Sequence, residues 1–452
     1  MTQAKVAFCT LGCKVNQYDT EALWRLFESR GYEQVEFEAQ ADVYVINTCT
    51  VTHEGDRKSR QMIRRAVRRS PEAVVAVTGC YAQMAPAEVL GISGVDLVVG
   101  NQDRSGFVDL VERVRDERRP FADVRPMLGQ TEFEDFDVPA FADRARASLK
   151  IEDGCNHFCT FCIIPHARGL VRSRAPQSVL RQARRLAQAG YKEIVLTGIH
   201  TGGYGEDLDA YTFADLIAAL DTEPGLPRIR ISSVEASELS DAVVEALARS
   251  TRICRHLHIP LQAGHDQVLR RMNRHYTLAQ YADRLAAVRA ALPGVAVTTD
   301  IIVGFPGETD EQFDATEAFA REQGFTRLHV FPYSRRTGTP AANFTGQVTP
   351  EVKHARVNRL LDLSARLTLA HARAHVGKTV PVVLEDVEMV DGRLCAVGHA
   401  DNYMRVAVAT SRAQGERMRG LLTDVCVTRA GAEVSMGRKV GEEVQSDAHD
   451  CV

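Results

Sequence analysis

The chain has 452 residues, 45% of them hydrophobic and 25% charged, with a formal net charge of −4. That length leaves room for about three domains, and the near-neutral balance gives no bulk reason to expect a nucleic acid, so any RNA contact must come from a local patch. No apolar run reaches about 18 residues, which excludes a spanning helix, and the N-terminus "MTQAKVAFCTLGCKVNQY" lacks the long apolar stretch of a secretory signal. The expectation is a cytoplasmic protein with no membrane partner, acting as a monomer, whose eleven cysteines are ligands or catalysts rather than disulfides.

Residues 1–116 alternate strand and helix signals. "VAFCT" reads as a strand and "DTEALWRLFESRGY" as a helix that Gly31 can stop. "DVYVINT" is the next strand, "EGDRKSRQMIRRAVRRS" a basic helix ended by Pro71, "AVVAVTG" and "VDLVVG" strands, and "RSGFVDLVERVRDE" a helix. This rhythm predicts a parallel sheet. Three of its strands run into a cysteine: Cys13, Cys49 and Cys80. Ligands of open α/β sheets gather at the carboxyl ends of strands. The three are therefore read as one ligand set, although a lone cysteine is commonly a small buried hydrophobe. Cys9, inside the first strand, is taken as core, and Cys254, Cys395, Cys426 and Cys451 fall in no pattern.

Residues 117–146 are polar and acidic ("FEDFDVPAFADRA") and read as a linker or irregular hairpin. Across 147–374, the strand candidates "ASLKIED", "EIVLTGIH", "RIRISSVE", "HLHIPLQA", "AVTTDIIVGFP" and "RLHVFPYS" alternate with helical stretches. They predict a partial or full β/α barrel, extended by one or two helices over 350–374. Function then belongs at the carboxyl ends of the strands, where Gly198, Glu235, Gln262, Gly304 and Gly307 cluster. Residues 375–440 carry short strands with turns and predict a small antiparallel barrel. Residues 441–452 form an acidic tail that reads as disordered.

The densest chemistry lies in "IEDGCNHFCTFCIIPHARG", where Cys155, Cys159 and Cys162 form a C-x3-C-x2-C run. Three close thiolates suit an iron–sulfur cluster; on the residues alone, zinc completed by His157 or His166 stays open. The basic helix carries Arg57, Lys58, Arg60, Arg64, Arg65, Arg68 and Arg69, a stripe that could track phosphates or simply be a solvated face. Arg405, with Arg412, Arg417, Arg419, Arg429, Arg438 and Lys439, adds basic candidates on the last unit, since small barrels often bind RNA.

Together, "TLGCKVNQYDT", "INTCTVTHEGDRKSRQ", "TGCYAQ", "GCNHFCTFCIIPHARG", "TGIHTGGYG", "DIIVGFPGET" and "YSRRTGTPA" resemble the radical S-adenosylmethionine (SAM) methylthiotransferases, in the family's order and over essentially the whole chain. Within that family, "LGCKVNQY" is most like the bacterial enzymes acting on threonylcarbamoyladenosine in tRNA. The isopentenyladenosine siblings more usually read GCQMN there, and the ribosomal-protein aspartate siblings GCPKN. The resemblance implies an N-terminal cluster domain, a radical-SAM partial barrel and a C-terminal TRAM barrel. It implies two 4Fe-4S clusters: one on Cys155, Cys159 and Cys162, where SAM is cleaved to a 5′-deoxyadenosyl radical that attacks adenine C2, and one on Cys13, Cys49 and Cys80, which presents sulfur methylated by a second SAM. Phe161, Gly198, Glu235, Gln262, Gly304 and Glu308 are then the SAM-binding candidates, and Arg57, Lys58, Arg60, Arg64, Arg65, Arg68 and Arg405 the RNA-binding ones, for a tRNA anticodon loop. A reductant such as flavodoxin or ferredoxin is expected; the sulfur donor is left unnamed. The alternatives are a sibling substrate, isopentenyladenosine or a ribosomal aspartate, and, in another class, an iron–sulfur electron-transfer or RNA-binding protein without radical chemistry. The chain departs from the family at "QAGHD", where QSGSD or QSGND is common: Ala263 lacks a hydroxyl and His265 adds a ring.

Overall fold

The computed structural model describes residues 3–141 and 144–441. Cys451 and residues 442–452 of the expected acidic tail lie outside the described residues.

The first unit contains β1 (Lys5–Thr10), α1 (Lys14–Ser29), β2 (Glu33–Val35), β3 (Val43–Thr48), α2 (His53–Arg69), β4 (Val74–Gly79), α3 (Cys80–Met84), α4 (Pro86–Leu90), β5 (Leu97–Val99), α5 (Phe107–Glu117) and β6 (Phe121–Asp123). The six strands form one sheet in the order β2-β1-β3-β4-β5-β6, parallel throughout. β3 and β4 are buried along their whole length, because helices cover both faces. Alternate residues of β3 go to opposite sides: Val43 and Val45 join Leu23, Phe27 and Phe107 of α1 and α5, while Tyr44 and Ile46 join Ile63, Ala66 and Tyr81 of α2 and α3. One expectation needs correction. The first helix begins at Lys14, not at Asp19, because Cys13 occupies its N-cap. The stretch read as a linker or irregular hairpin contains β6, which pairs with β5, and its Val138 and Phe141 join the core of the next unit.

The second unit runs through β7 (Ala147–Lys150), β8 (Glu152–Asp153), α6 (Ile164–Arg168), β9 (Arg172–Ser173), α7 (Pro176–Gln188), β10 (Glu193–Thr197), α8 (Phe213–Thr222), β11 (Arg228–Ile231), α9 (Asp241–Arg249), β12 (His256–His258), α10 (Asp266–Arg271), α11 (Leu278–Ala291), β13 (Ala296–Val303), α12 (Asp310–Glu322), β14 (Arg327–Pro332) and α13 (Pro350–Arg373). Two parallel three-stranded sheets, β11-β10-β7 and β12-β13-β14, are joined by bridges Ile229–Ile253 and Ser233–His258. The result is an arc β7-β10-β11-β12-β13-β14. No pairing of β14 with β7 occurs among the described residues, so the barrel is partial. Its core also takes in Tyr18 and Ala22 of α1 and Leu360 and Leu363 of α13.

The third unit is a closed barrel, β15-β16-β17-β19-β18, built from β15 (Thr379–Val390), β16 (Arg393–Ala400), β17 (Arg405–Ala409), α14 (Arg412–Met418), β18 (Leu422–Arg429) and β19 (Ser435–Lys439). It is antiparallel except for β17 and β19, which pair in parallel; α14, absent from the sequence reading, carries the chain across between β17 and β18. Two arginines of β11 seat this barrel. Arg228 donates to the Pro381 and His399 carbonyls at 2.7 and 2.8 Å, and Arg230 to those of Ala400 and Asp401 at 2.9 and 3.0 Å. Buried Glu193 holds both guanidinium groups, and the Tyr403 ring stacks on His256 at 4.5 Å and His399 at 4.7 Å. No described helix is long and apolar enough to cross a membrane.

Candidate active site between two cysteine triads

Cys13, Cys49 and Cys80 sit just beyond β1, β3 and β4, three adjacent strands of the sheet. Cys13 and Cys49 flank the point where the strand order reverses, the usual ligand crevice of such sheets. Two glycines permit the approach. At Gly12 (φ 100°) a Cβ would lie 2.9 Å from Cys49 Cβ and 3.1 Å from its sulfur. At Gly79 (φ 91°) it would lie 2.5 Å from the Thr48 carbonyl oxygen. Both positions combine a left-handed backbone with no room for a side chain. The thiols act on one another: burial raises Cys49 to about 11, with Cys80 and Cys13 adding to the rise. Burial also raises Cys13 against the lowering pull of Arg168.

Cys155, Cys159 and Cys162 occupy the loop from β8 to α6, closed by Cys162 N–H donating to the Cys159 carbonyl at 2.9 Å and Cys155 N–H to that of Gly169 at 3.0 Å. Burial raises all three thiols. Cys162 reaches about 12 through burial, then Cys159, with a further contribution from Cys80 of the other triad. The two triads thus share one neighbourhood. Arg274 donates to Cys159 Sγ at 3.3 Å and pairs with Glu235, so Glu235 reaches the loop through an arginine.

Arg168 joins the triads. It ends α6, is fully buried, and donates to Cys80 Sγ at 3.4 Å, to Asn16 Oδ1 at 2.5 Å, and to Asp19 and Asp153 at 2.7 and 3.1 Å. Lys150 bridges the same carboxylates at 2.9 and 2.7 Å, and Arg104 adds a contact to Asp19 at 2.8 Å. These cations hold Asp19 and Asp153 well below the usual carboxylate range against the opposing pull of burial. A second strut lies on the other side of Cys49: Arg336 donates to Asp56 at 2.6 Å and also to Thr50.

Beside Cys162 opens a cavity of ≈ 250 Å³, lined among others by Val51, Thr52, Phe161, Cys162, Gln262 and Asp300. It brings Phe161 and Gln262 of the expected SAM set together with the loop that follows Cys49. Gly198 lies over Glu152, whose Cδ would be 2.7 Å from a Cβ placed there. Glu152 is buried, and burial followed by the charge of Asp153 raises it to about 8. Its Oε2 and His200 Nδ1 are buried without a hydrogen-bond partner. Burial opposes the charged ring of His200, but Glu238 and Glu152 outweigh it and raise His200 to about 8. Gly304 and Glu308 are engaged elsewhere. The Gly304 N–H donates to Glu308 at 2.5 Å, and Glu308 pairs with buried Arg356 of α13 at 2.7 Å. In "QAGHD", Ala263 is fully buried and His265 caps α10 by accepting from the Gln267 N–H at 3.3 Å. Arg168, Arg274, Lys150 and Glu152 were not singled out from sequence. Only the "HARG" and "IEDG" stretches flanking the cysteine run could have pointed to Arg168 and Glu152.

The basic stripe on α2 is partly neutralised. Arg57 and Lys58 face Glu54 at 2.6 and 3.8 Å, Arg60 faces Glu88 at 3.2 Å, and Arg65 pairs with Glu38. Arg405 pairs with Glu388. Arg64 and Arg68 are exposed and have no ion pair among the described residues.

Residues 5–100 match the model of an uncharacterised protein family, UPF0004, and residues 149–320 that of the radical SAM superfamily. The chain is 54% identical over 97% of its length to the threonylcarbamoyladenosine tRNA methylthiotransferase MtaB of Bacillus subtilis, covering 96% of that protein. The chain belongs to the radical-SAM methylthiotransferases. The methylthiotransferase of the same name from Aquifex aeolicus is 39% identical over 84% of this chain and 93% of its own length. The tRNA-2-methylthio-N(6)-dimethylallyladenosine synthase of Desulfitobacterium hafniense is 36% identical over 84% of this chain and 86% of its own length. Among solved structures, the radical SAM methyltransferase TsrM of Kitasatospora setae, with cobalamin and a [4Fe-4S] cluster bound, shares the fold at a TM-score of 0.57 and 16% identity, covering 75% of this chain and 77% of that one. Methylthiotransferases use SAM and [4Fe-4S] clusters, and the residues here suit both. Each triad offers three thiols, the ligand type such a cluster takes, each has an arginine donating to one sulfur, and the unpartnered Glu152 Oε2 and His200 Nδ1 invite a polar ligand.

Proposed function

We propose that this methylthiotransferase converts N6-threonylcarbamoyladenosine, 3′ of the anticodon in tRNA, to its 2-methylthio derivative in the cytoplasm. The observation that carries the reading is the bridge that Arg168, from the segment after the loop triad, makes to Cys80 of the dispersed triad, in a chain 54% identical over 97% of its length to an enzyme of that name. Cys155, Cys159 and Cys162 would hold one [4Fe-4S] cluster and Cys13, Cys49 and Cys80 the other. When bound, these clusters and SAM supply the radical and sulfur chemistry at adenine C2. The chain's own part is positional. Arg274 and Arg168 each donate to a ligand sulfur, which favours the thiolate and fixes its direction. Glu152 Oε2 and the His200 ring receive the polar amino-acid end of SAM, beneath Gly198. Phe161 packs beside its adenine and, with Ile163 and Ile302, keeps water from the cavity. Among the stripe residues Arg57, Lys58, Arg60, Arg64, Arg65 and Arg68, the unpaired Arg64 and Arg68 are the strongest phosphate contacts, with Arg405 on the C-terminal barrel. A reductant of the flavodoxin or ferredoxin class supplies the electrons. Nucleoside mass spectrometry of tRNA from cells with and without the gene tests the reading. Loss of methylthio-threonylcarbamoyladenosine alone is expected; loss of the methylthio-isopentenyl nucleoside instead, or no change, overturns it.

A further inference from the structure

The cavity beside Cys162 takes its walls from two units of the chain. The loop of Cys155, Cys159 and Cys162 gives Cys162 and buried Ile163, the partial barrel gives Phe331 near the end of β14, and the first unit gives Val51 and Thr52 from the turn between Cys49 and α2. Two of these side chains are large, apolar and open to solvent: Phe331 is 45% exposed and Val51 52%. Among the described residues, neither packs into the core of its own unit. In the β13–β14 ladder Phe331 pairs with Ile302, which lines the same cavity, so the ring stands on the cavity face of the sheet. A single exposed apolar side chain is ordinary; two from separate units on one opening mark a surface that expects cover.

The two sides of this opening are tied together. The His53 N–H donates to Ser334 Oγ at 3.2 Å, and Arg336, just beyond Ser334, holds Asp56 at 2.6 Å and also Thr50. Val51 lies between Thr50 and His53, so its turn cannot swing away from the end of β14 without breaking these bonds. Polar groups share the cavity with the two apolar side chains: Thr52, Ser334, Gln262 and Asp300 line it. Tyr333 lines it too, is buried, and has a hydroxyl with no hydrogen-bond partner among the described residues. Apolar faces with polar groups at the margin fit a flat ring whose faces are apolar and whose edge is polar. A nucleic-acid base is such a ring, and an enzyme that works on a base must draw it out of its stack to reach it. Phe331 and Val51 stand where the cavity is open, the side from which an RNA can deliver one.

Building on the functional reading above, we propose that the adenine to be modified is turned out of the anticodon loop and stacked on the Phe331 ring, with Val51 packed against it. This seats the base between the turn that follows Cys49 and the loop that carries Cys162. Phe331 is a substrate-binding residue and takes no part in bond making.

The test uses the reconstituted enzyme and two anticodon stem-loop RNAs, one with threonylcarbamoyladenosine at the target position and one abasic there. Dissociation constants are read together with 5′-deoxyadenosine formation in the absence of RNA and the electron paramagnetic resonance signals of both clusters. Stacking on an aromatic ring predicts that the wild type favours the base-bearing RNA by roughly fivefold to a hundredfold. Phe331→Ala should erase that preference while the abasic RNA binds as before and SAM cleavage and both cluster signals are unchanged. Phe331→Tyr should keep most of the preference, and Val51→Ser should lose part of it. Equal affinity of the wild type for the two RNAs overturns the proposal without any variant. So does a Phe331→Ala enzyme that keeps the preference, or one that weakens both RNAs alike, as a packing defect would. Loss of SAM cleavage without RNA in Phe331→Ala also overturns it, by assigning the ring to SAM. A wild type that methylthiolates only an isopentenyladenosine stem-loop overturns the functional reading alone; the comparison of base-bearing with abasic RNA, made on that stem-loop, then decides Phe331.

Discussion

The two cysteine triads, linked through Arg168, are assembled by opposite routes. Cys155, Cys159 and Cys162 are held by one loop and need little beyond local chain geometry to meet. Cys13, Cys49 and Cys80 are far apart in sequence and meet only because β1, β3 and β4 are neighbours. They are then locked from outside by Arg168, which belongs to the other triad's loop-and-helix segment. One site is a local property of the chain and the other a property of the assembled fold, so insults to the fold should reach the dispersed triad first.

The sharpest way to break the comparison is to delete ligands. Cys159→Ala should abolish 5′-deoxyadenosine formation and methylthiolation together. Cys49→Ala should retain SAM cleavage under chemical reductant while losing methylthiolation completely. Mass spectrometry of both products decides it, and a Cys49→Ala enzyme that no longer cleaves SAM would show that the triads do not act separately.

Next in size is the lock. Arg168→Met leaves Asp19 and Asp153 under-compensated in the interior, which costs about 3–5 kcal/mol. The expected signature is a lower urea midpoint and loss of the dispersed triad's cluster signal while the loop triad's survives. Loss of both signals in parallel would contradict the asymmetry.

A pH titration separates the buried acids around the triads by sign. Glu152, beside the loop triad, is raised to about 8. The folded state therefore keeps its proton where the unfolded chain has released it, and this contribution is full below about pH 4.3 and fades as pH rises through about 8. His200, raised to about 8, adds a second contribution that fades over the upper part of the same range. Asp19 and Asp153, both held by Arg168 and Lys150, are depressed, so their contribution is present above about pH 3.9 and fades as pH falls. Glu152→Gln should accordingly gain on the order of 3 kcal/mol over wild type near pH 9 and much less near pH 5, read as a pH-dependent difference in thermal midpoint. A difference that does not vary with pH would count against it. The smallest effect concerns the RNA face. Arg64→Gln with Arg68→Gln should reduce the salt dependence of stem-loop binding by about one to two units of slope and leave SAM cleavage unchanged.

Much of this arrangement was legible before the fold. The strand-end positions of Cys13, Cys49 and Cys80, the C-x3-C-x2-C run and the six βα units each rest on local pattern, and local pattern survives in sequence. What stayed hidden depends on partners far along the chain. Nothing around Arg168 announces Asp19, a hundred and forty-nine positions away. Nothing around Glu235 announces its ion pair with Arg274, nor anything around Glu308 its pair with Arg356. β6 and β19 are too short or too polar to stand out, and each exists because a neighbouring strand offers an edge.

The seat of the C-terminal barrel has a consequence of its own. Arg228 and Arg230 grip main-chain carbonyls at Pro381, His399, Ala400 and Asp401, groups that every amino acid carries. At these four positions the joint reads the path of the chain and not its side chains. The outer surface of the barrel can therefore drift in sequence, and be refitted to a different set of RNA contours, without the module losing its place over the rest of the enzyme.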